Sequence, residues 1–137
     1  MIALLALCLA AAQPGSARSP RVLGKDGAWG AKNRAGSESF GFEVRRHGRR
    51  IVDFGGGLSP TVRKACFGAV NFNRIGVPRS GRFRAIRTTA RGTVTYKIRG
   101  RFTARLRAIF YVTRIEAVPG LPPCNSGPVR FRAKFFR

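Results

Sequence analysis

Apolar and polar residues alternate with a period of two through much of this chain. From Phe102 to Val112 the apolar positions are Phe102, Ala104, Leu106, Ala108, Phe110 and Val112, with Arg101, Thr103, Arg105 and Arg107 between them. Successive side chains of a strand point to opposite faces, so this spacing predicts one half-buried β-strand with arginine outward. Val129–Phe136 repeats the pattern, with Val129, Phe131, Ala133 and Phe135 inward and Arg130, Arg132 and Lys134 outward. Further strands are predicted over Ala28–Ala31, Phe40–Val44, Ile51–Phe54, Val70–Ile75, Gly81–Arg87 and Thr93–Arg99. Turn chemistry separates them. Arg46-His47-Gly48-Arg49 reads as a hairpin tip in which Gly48 takes positive φ. Gly55-Gly56-Gly57 reads as a bend or bulge before Leu58 and Pro60. Gly100-Arg101 reads as a tight connection, Val118–Pro123 as a loop, and Asn125-Ser126-Gly127-Pro128 as a turn into the last strand. No stretch carries sustained helical spacing with caps. About eight short strands, each burying one face, predict an all-β fold: a single antiparallel β-sandwich or flattened barrel.

The N-terminus breaks this pattern. Residues 1–17 begin with an uncharged apolar run, Met1 to Ala12, and end in Gln13-Pro14-Gly15-Ser16-Ala17. The run is shorter than the roughly 20 residues of a membrane span. Small residues at Gly15 and Ala17 fit a signal peptide cleaved after Ala17, although no Lys or Arg precedes the apolar core. Leu5-Ala6-Leu7-Cys8 makes a poor lipoprotein site, because Leu7 is bulky. Residues 18–27 read as a flexible N-terminal segment and residues 28–137 as the all-β domain. Cleavage removes Cys8 and leaves Cys66 and Cys124, which in an exported chain predicts a disulfide. Two cysteines and one histidine without ligand spacing do not predict a metal site.

Charge changes the picture next. The chain carries 27 Lys and Arg against five Asp and Glu, a formal net charge of +22. Lysine supplies only Lys25, Lys32, Lys64, Lys97 and Lys134. Codon bias accounts for a high arginine-to-lysine ratio but not for the shortage of acids. Such a surface attracts polyanions. Two clusters are candidates: Arg45, Arg46, Arg49 and Arg50 around the hairpin tip, and Lys97, Arg99, Arg101, Arg105, Arg107, Arg130, Arg132 and Lys134 on outward strand positions. Guanidinium forks grip phosphate and carboxylate with two hydrogen bonds at once. No exposed aromatic ladder of the kind that stacks single-stranded nucleic acid is evident. Trp29 reads as core.

The order of landmarks is Trp29-Gly30-Ala31-Lys32-Asn33, Ser39-Phe40-Gly41-Phe42-Glu43-Val44, Ile51-Val52-Asp53-Phe54 and Cys66. Gly81-Arg82-Phe83, Gly92-Thr93-Val94, Gly100-Arg101-Phe102, Cys124-Asn125-Ser126-Gly127 and Phe131-Arg132-Ala133 follow. Over roughly residues 28–133 this resembles small exported β-proteins common in actinobacteria, a group without an assigned function. The surface here is far more basic than in that group. The opening has Gly-Ala-Lys-Asn where a Gly-Lys-Thr-like turn is usual. The resemblance implies export, a β-fold and a disulfide, and transfers no catalytic residue.

Catalysis is hard to assemble from these residues. His47 is the only histidine and sits among Arg45, Arg46, Arg49 and Arg50, where it reads as an exposed turn residue. No Gly-x-Ser-x-Gly element exists. Glu43 and Asp53 flank the hairpin and read as neutralising nearby arginines rather than as a glycosidase pair. Asp53-Phe54-Gly55 has no other kinase element beside it, and Gly55-Gly56-Gly57-Leu58 lacks the lysine of a phosphate loop. The expectation is therefore a non-enzymatic exported domain, without cofactor, that binds anionic polymers such as cell envelope, extracellular nucleic acid or acidic polysaccharide. The alternatives are a small cell-wall glycan or ester hydrolase using Glu43, Asp53 or His47, and a secreted protein-interaction module. Oligomeric state is not legible in the sequence.

Overall fold

The computed structural model describes residues 21–59, 66–89, 91–117 and 119–137. The expected signal peptide over residues 1–17, Pro60 and Lys64 lie outside the described residues. The strands are β1 (Gly27–Asn33), β2 (Ser39–Arg45), β3 (Arg50–Leu58), β4 (Gly68–Gly76), β5 (Arg82–Thr88), β6 (Val94–Ala104), β7 (Arg107–Glu116), β8 (Cys124–Asn125) and β9 (Val129–Phe135). Every pairing is antiparallel, and the order across the sheet is β4-β3-β2-β1-β9-β7-β6-β5. The short β8 pairs with the end of β7, on the side of β7 that β9 occupies further along. β4 and β5 are the edges, and they face each other across a narrow seam. The Arg87 guanidinium bridges that seam by donating to the backbone carbonyl and side-chain oxygen of Asn71. The sheet is thus an all-β, nearly closed antiparallel barrel.

The inward positions are the apolar ones that the alternation picks out, except for Ala104 and Leu106, which are exposed at the β6–β7 turn. Phe54, Phe110, Phe131, Ile51, Val44, Val70 and Val112 are fully buried. Phe40 is the hinge of the aromatic packing: its ring lies 4.7 Å from Phe131 edge-on and 5.1 Å from Phe54 in a stacked pair. Phe110 stacks on Phe131 at 5.3 Å and meets Phe54 at 5.2 Å. Offset and edge-on pairs of this kind stabilise beyond the area they bury. Trp29 is core, as expected, at 2% exposure. Its indole N–H donates to the Lys25 carbonyl at 2.9 Å, which satisfies its polar atom.

Residues 21–27 are the described part of the N-terminal segment. They cross one end of the barrel, and Val22 and Leu23 pack on the core. Lys25 N–H donates to the Arg105 carbonyl, and the Asp26 carboxylate accepts from the His47 and Gly48 amides at 3.0 and 2.8 Å. Gly24 lies against the Phe102 ring, with no room for a Cβ. This segment closes an end that would otherwise expose core.

The other end carries the disulfide. Cys66 and Cys124 are bonded, with a Cα–Cα distance of 5.4 Å across a sequence separation of 58. Beside it Arg114 is buried, and its Nη1 donates to Glu116 Oε2 at 2.7 Å. A Cβ on Gly68 would stand 3.2 Å from that guanidinium, so glycine there makes room for it.

Three sequence expectations are corrected. Phe102–Val112 is not one strand: the chain reverses at Arg105-Leu106, Ala104 pairs with Arg107, and Phe102 with Ala108. A two-residue loop by itself inverts the parity, since it sets Ala104 opposite Arg107; the bulge between Phe102 and Ala104 restores it, so Phe102, Ala108, Phe110 and Val112 all face inward. Gly100-Arg101 is not a connection but the middle of β6. A Cβ on Gly100 would come 2.6 Å from Phe83 and Phe110, so the glycine accommodates core packing. The irregularity expected at Gly55-Gly56-Gly57 falls at Asp53 instead, which has φ of 52°, while the three glycines remain in β3. Asp tolerates the left-handed region better than most residues.

Candidate polyanion-binding face

The strand register decides which basic residues become neighbours. On the outer face, Arg84 of β5 lies opposite Arg99 of β6, Arg99 opposite Tyr111 of β7, and Tyr111 opposite Arg130 of β9. One step along, a second row runs Arg82, Arg101, Ile109, Arg132 and Lys32 across β5, β6, β7, β9 and β1. The rows are two residues apart, roughly 7 Å along the strands. Arg82 and Arg101, and Arg84 and Arg99, are therefore like charges set directly opposite one another, an arrangement that costs stability. Among the described residues no carboxylate forms an ion pair with any of these arginines.

These rows enclose a shallow open depression of about 590 Å³. Arg82, Arg84, Arg99, Arg101 and Arg130 line it, with Ile109 and Tyr111 half-buried between them. Gly76 at the end of β4, and Pro78 and Ser80 in the connection from β4 to β5, line one side. That connection is firmly tied. Val77 is buried, its amide donates to the Arg49 carbonyl, and its carbonyl accepts from Arg49 Nε at 2.7 Å. The Arg99 guanidinium carbon sits 5.0 Å from the centre of the Tyr111 ring, a cation–π contact that fixes its position.

The second sequence cluster is largely brought together. Lys97, Arg99, Arg101, Arg107, Arg130, Arg132 and Lys134 lie exposed on the contiguous strands β6, β7 and β9. Arg105 stands apart in the β6–β7 turn. Sequence reasoning missed Arg82, Arg84 and Lys32. The signal for the first two was present: they alternate with Phe83 and Ala85 as the other outward arginines alternate with core residues. Only the register shows that β5 and β1 flank the same face.

The first cluster is less coherent. Arg45 is held by Glu43, with Nε to Oε1 at 3.0 Å and Nη2 to Oε2 at 3.1 Å. This hydrogen-bonded pairing lowers the Glu43 carboxyl below its ordinary value and raises Arg45. Arg49 is spent on the Val77 carbonyl. Burial, and then the charges of Arg46 and Arg74, push the Arg50 guanidinium down. Arg46 and His47 hold positive φ, 55° and 56°, in the tip. Of the carboxylate and imidazole groups considered for hydrolysis, His47 and Asp53 are exposed at the tip and at the β3 bulge, and Glu43 is engaged by Arg45. They line neither this depression nor the smaller one beside the disulfide.

No family model, curated protein or solved structure matches this chain.

Proposed function

We propose that this chain is an exported, non-enzymatic domain of the kind its landmarks resemble, and that it binds anionic envelope or extracellular polymers through the outer face of β5, β6, β7 and β9. The observation that carries this reading is the pair of directly opposed arginines, Arg82 with Arg101 and Arg84 with Arg99, left without a carboxylate among the described residues. Packing does not require them, since their side chains point away from the core. An anionic partner converts their mutual repulsion into attraction. Export is supported by the apolar leader over residues 1–17 and by the Cys66–Cys124 disulfide, which persists in oxidising compartments.

The test is retention of the purified domain on immobilised dextran sulfate across a salt gradient. The control is a basic protein of the same size and net charge without clustered arginines. The domain should elute at clearly higher salt. Elution together with the control would refute the reading, because dispersed charge alone would then explain the binding.

A further inference from the structure

The depression joins two kinds of chemistry that diffuse polymer binding does not use together. Its rim is guanidinium, from Arg82, Arg84, Arg99, Arg101 and Arg130, and its floor is Tyr111 and Ile109. We propose that it is a subsite for one free nucleotide, a phosphate monoester carried beside a planar ring. The proposal rests on the polyanion reading and narrows it to one ligand class at one place.

Phosphate fits the rim better than carboxylate. A carboxylate offers one charge and two acceptor oxygens, enough for a single guanidinium fork. A phosphate monoester offers nearly two charges and three acceptor oxygens. Two facing arginine pairs with Arg130 beyond them present more forks and more charge than one carboxylate satisfies. The floor then calls for a ring. Arg99, held over Tyr111, is placed where its guanidinium plane can stack a base, and arginine and aromatic planes are both stacking platforms for bases. The volume of about 590 Å³ lies within the range of small-ligand sites. The side chains rise from strands rather than loops. Gly100 below them is clamped between Phe83 and Phe110, so the supporting backbone is rigid.

The experiment is titration calorimetry at low salt with adenosine 5′-monophosphate, ribose 5-phosphate, adenosine and glucuronate. A short single-stranded oligonucleotide without terminal phosphate is a further arm. Adenosine monophosphate should saturate at one per chain. Ribose 5-phosphate should bind at least about five-fold more weakly for want of the ring, and glucuronate more weakly still. The oligonucleotide, whose diesters each carry one charge and two free oxygens, should bind more weakly than adenosine monophosphate, and the reverse order would overturn the subsite. Arg84→Lys with Arg99→Lys keeps the net charge and removes the forks. It should weaken adenosine monophosphate about ten-fold or more, a much larger loss than it causes in retention on dextran sulfate, where the retained charge still acts. Should that variant not fold, the Arg Nε–H resonances of the unaltered protein decide instead. Arg84, Arg99 and Arg130 should shift on titration and Arg45 should not. Equal affinity for glucuronate, binding without saturation, or shifts spread evenly over all arginines would overturn the subsite. Loss of preferential dextran sulfate retention by the unaltered domain would overturn the polymer reading separately.

Discussion

Two halves of this barrel share one core and differ on their outer surface. A single transverse row displays the contrast: Arg107, Lys134, Gly30, Gly41, Gly55 and Asn71, read across β7, β9, β1, β2, β3 and β4. It begins in cations and continues in glycine. Strands β1–β4 carry Lys32, Arg45, Arg50 and Arg74 against Glu43 and Asp53. Strands β5, β6, β7 and β9 carry Arg82, Arg84, Arg87, Lys97, Arg99, Arg101, Arg107, Arg114, Arg130, Arg132 and Lys134 against Glu116 alone. The inward positions of the two halves are alike: Phe40, Phe42, Val44 and Phe54 on one side, Ile98, Phe102, Phe110 and Val112 on the other. The fold therefore does not demand arginine on either outer face. One half accepts electrostatic repulsion that the other avoids, without a packing benefit in return.

The contrast can be tested from its foundation outward. Phe110 packs against aromatic rings from both halves, so Phe110→Ala should destabilise the whole domain by about 3–5 kcal/mol in urea unfolding. One cooperative transition is expected; two separate ones would mean that the halves do not share a core. Replacing Cys66 and Cys124 together by serine should cost about 2–4 kcal/mol. It should leave elution from dextran sulfate unaltered in folded material, because the bond lies at the barrel end away from residues 21–27. A fall in elution salt would show that the disulfide end shapes the arginine face.

Arg84→Gln with Arg99→Gln should act in opposite directions on stability and binding. Relief of one opposed pair is expected to stabilise by about 0.2–1 kcal/mol, while retention on dextran sulfate falls sharply. The matching change on the other half, Arg45→Gln with Arg74→Gln, removes the same charge and should lower retention much less. Equal losses from the two double variants would erase the distinction between the halves. The smallest effect concerns Glu43, whose carboxyl is held below its ordinary value of 4.5 by Arg45. A lowered folded value contributes stability above 4.5 that is lost as pH falls through the lower value. Glu43→Gln should lower stability slightly at neutral pH, and the difference should vanish as pH falls through that acid window. An unchanged profile would mean that the pair contributes nothing to folding.

The legible part of this molecule was its pattern of faces. Val129–Phe135 and Phe40–Val44 are strands whose inward residues the alternation names one by one, and all-β class follows from repeating such segments. The turn at Arg105-Leu106 was hidden because it lacks the Gly, Asn or Asp that marks a two-residue hairpin, and because the bulge beside it brings the alternation back into phase. Gly100 was misleading for the opposite reason: a residue typical of turns serves the close approach of Phe83 and Phe110. The candidate face was half visible. Outward arginines could be named strand by strand, but the position of β9 between β1 and β7 depends on pairings between segments distant in the chain.

By itself, then, the sequence determined which side of each strand is greasy and which is cationic, because that choice is made residue by residue through the two-fold repeat of an extended backbone. It also set the cysteine pair and the overall excess of positive charge. Tertiary structure decided the neighbours: Arg84 beside Arg99, Tyr111 between Arg99 and Arg130, and the floor and rim of one depression. Strand order and register arise from how several apolar faces close around a common core, and that closure is a property of the whole chain at once.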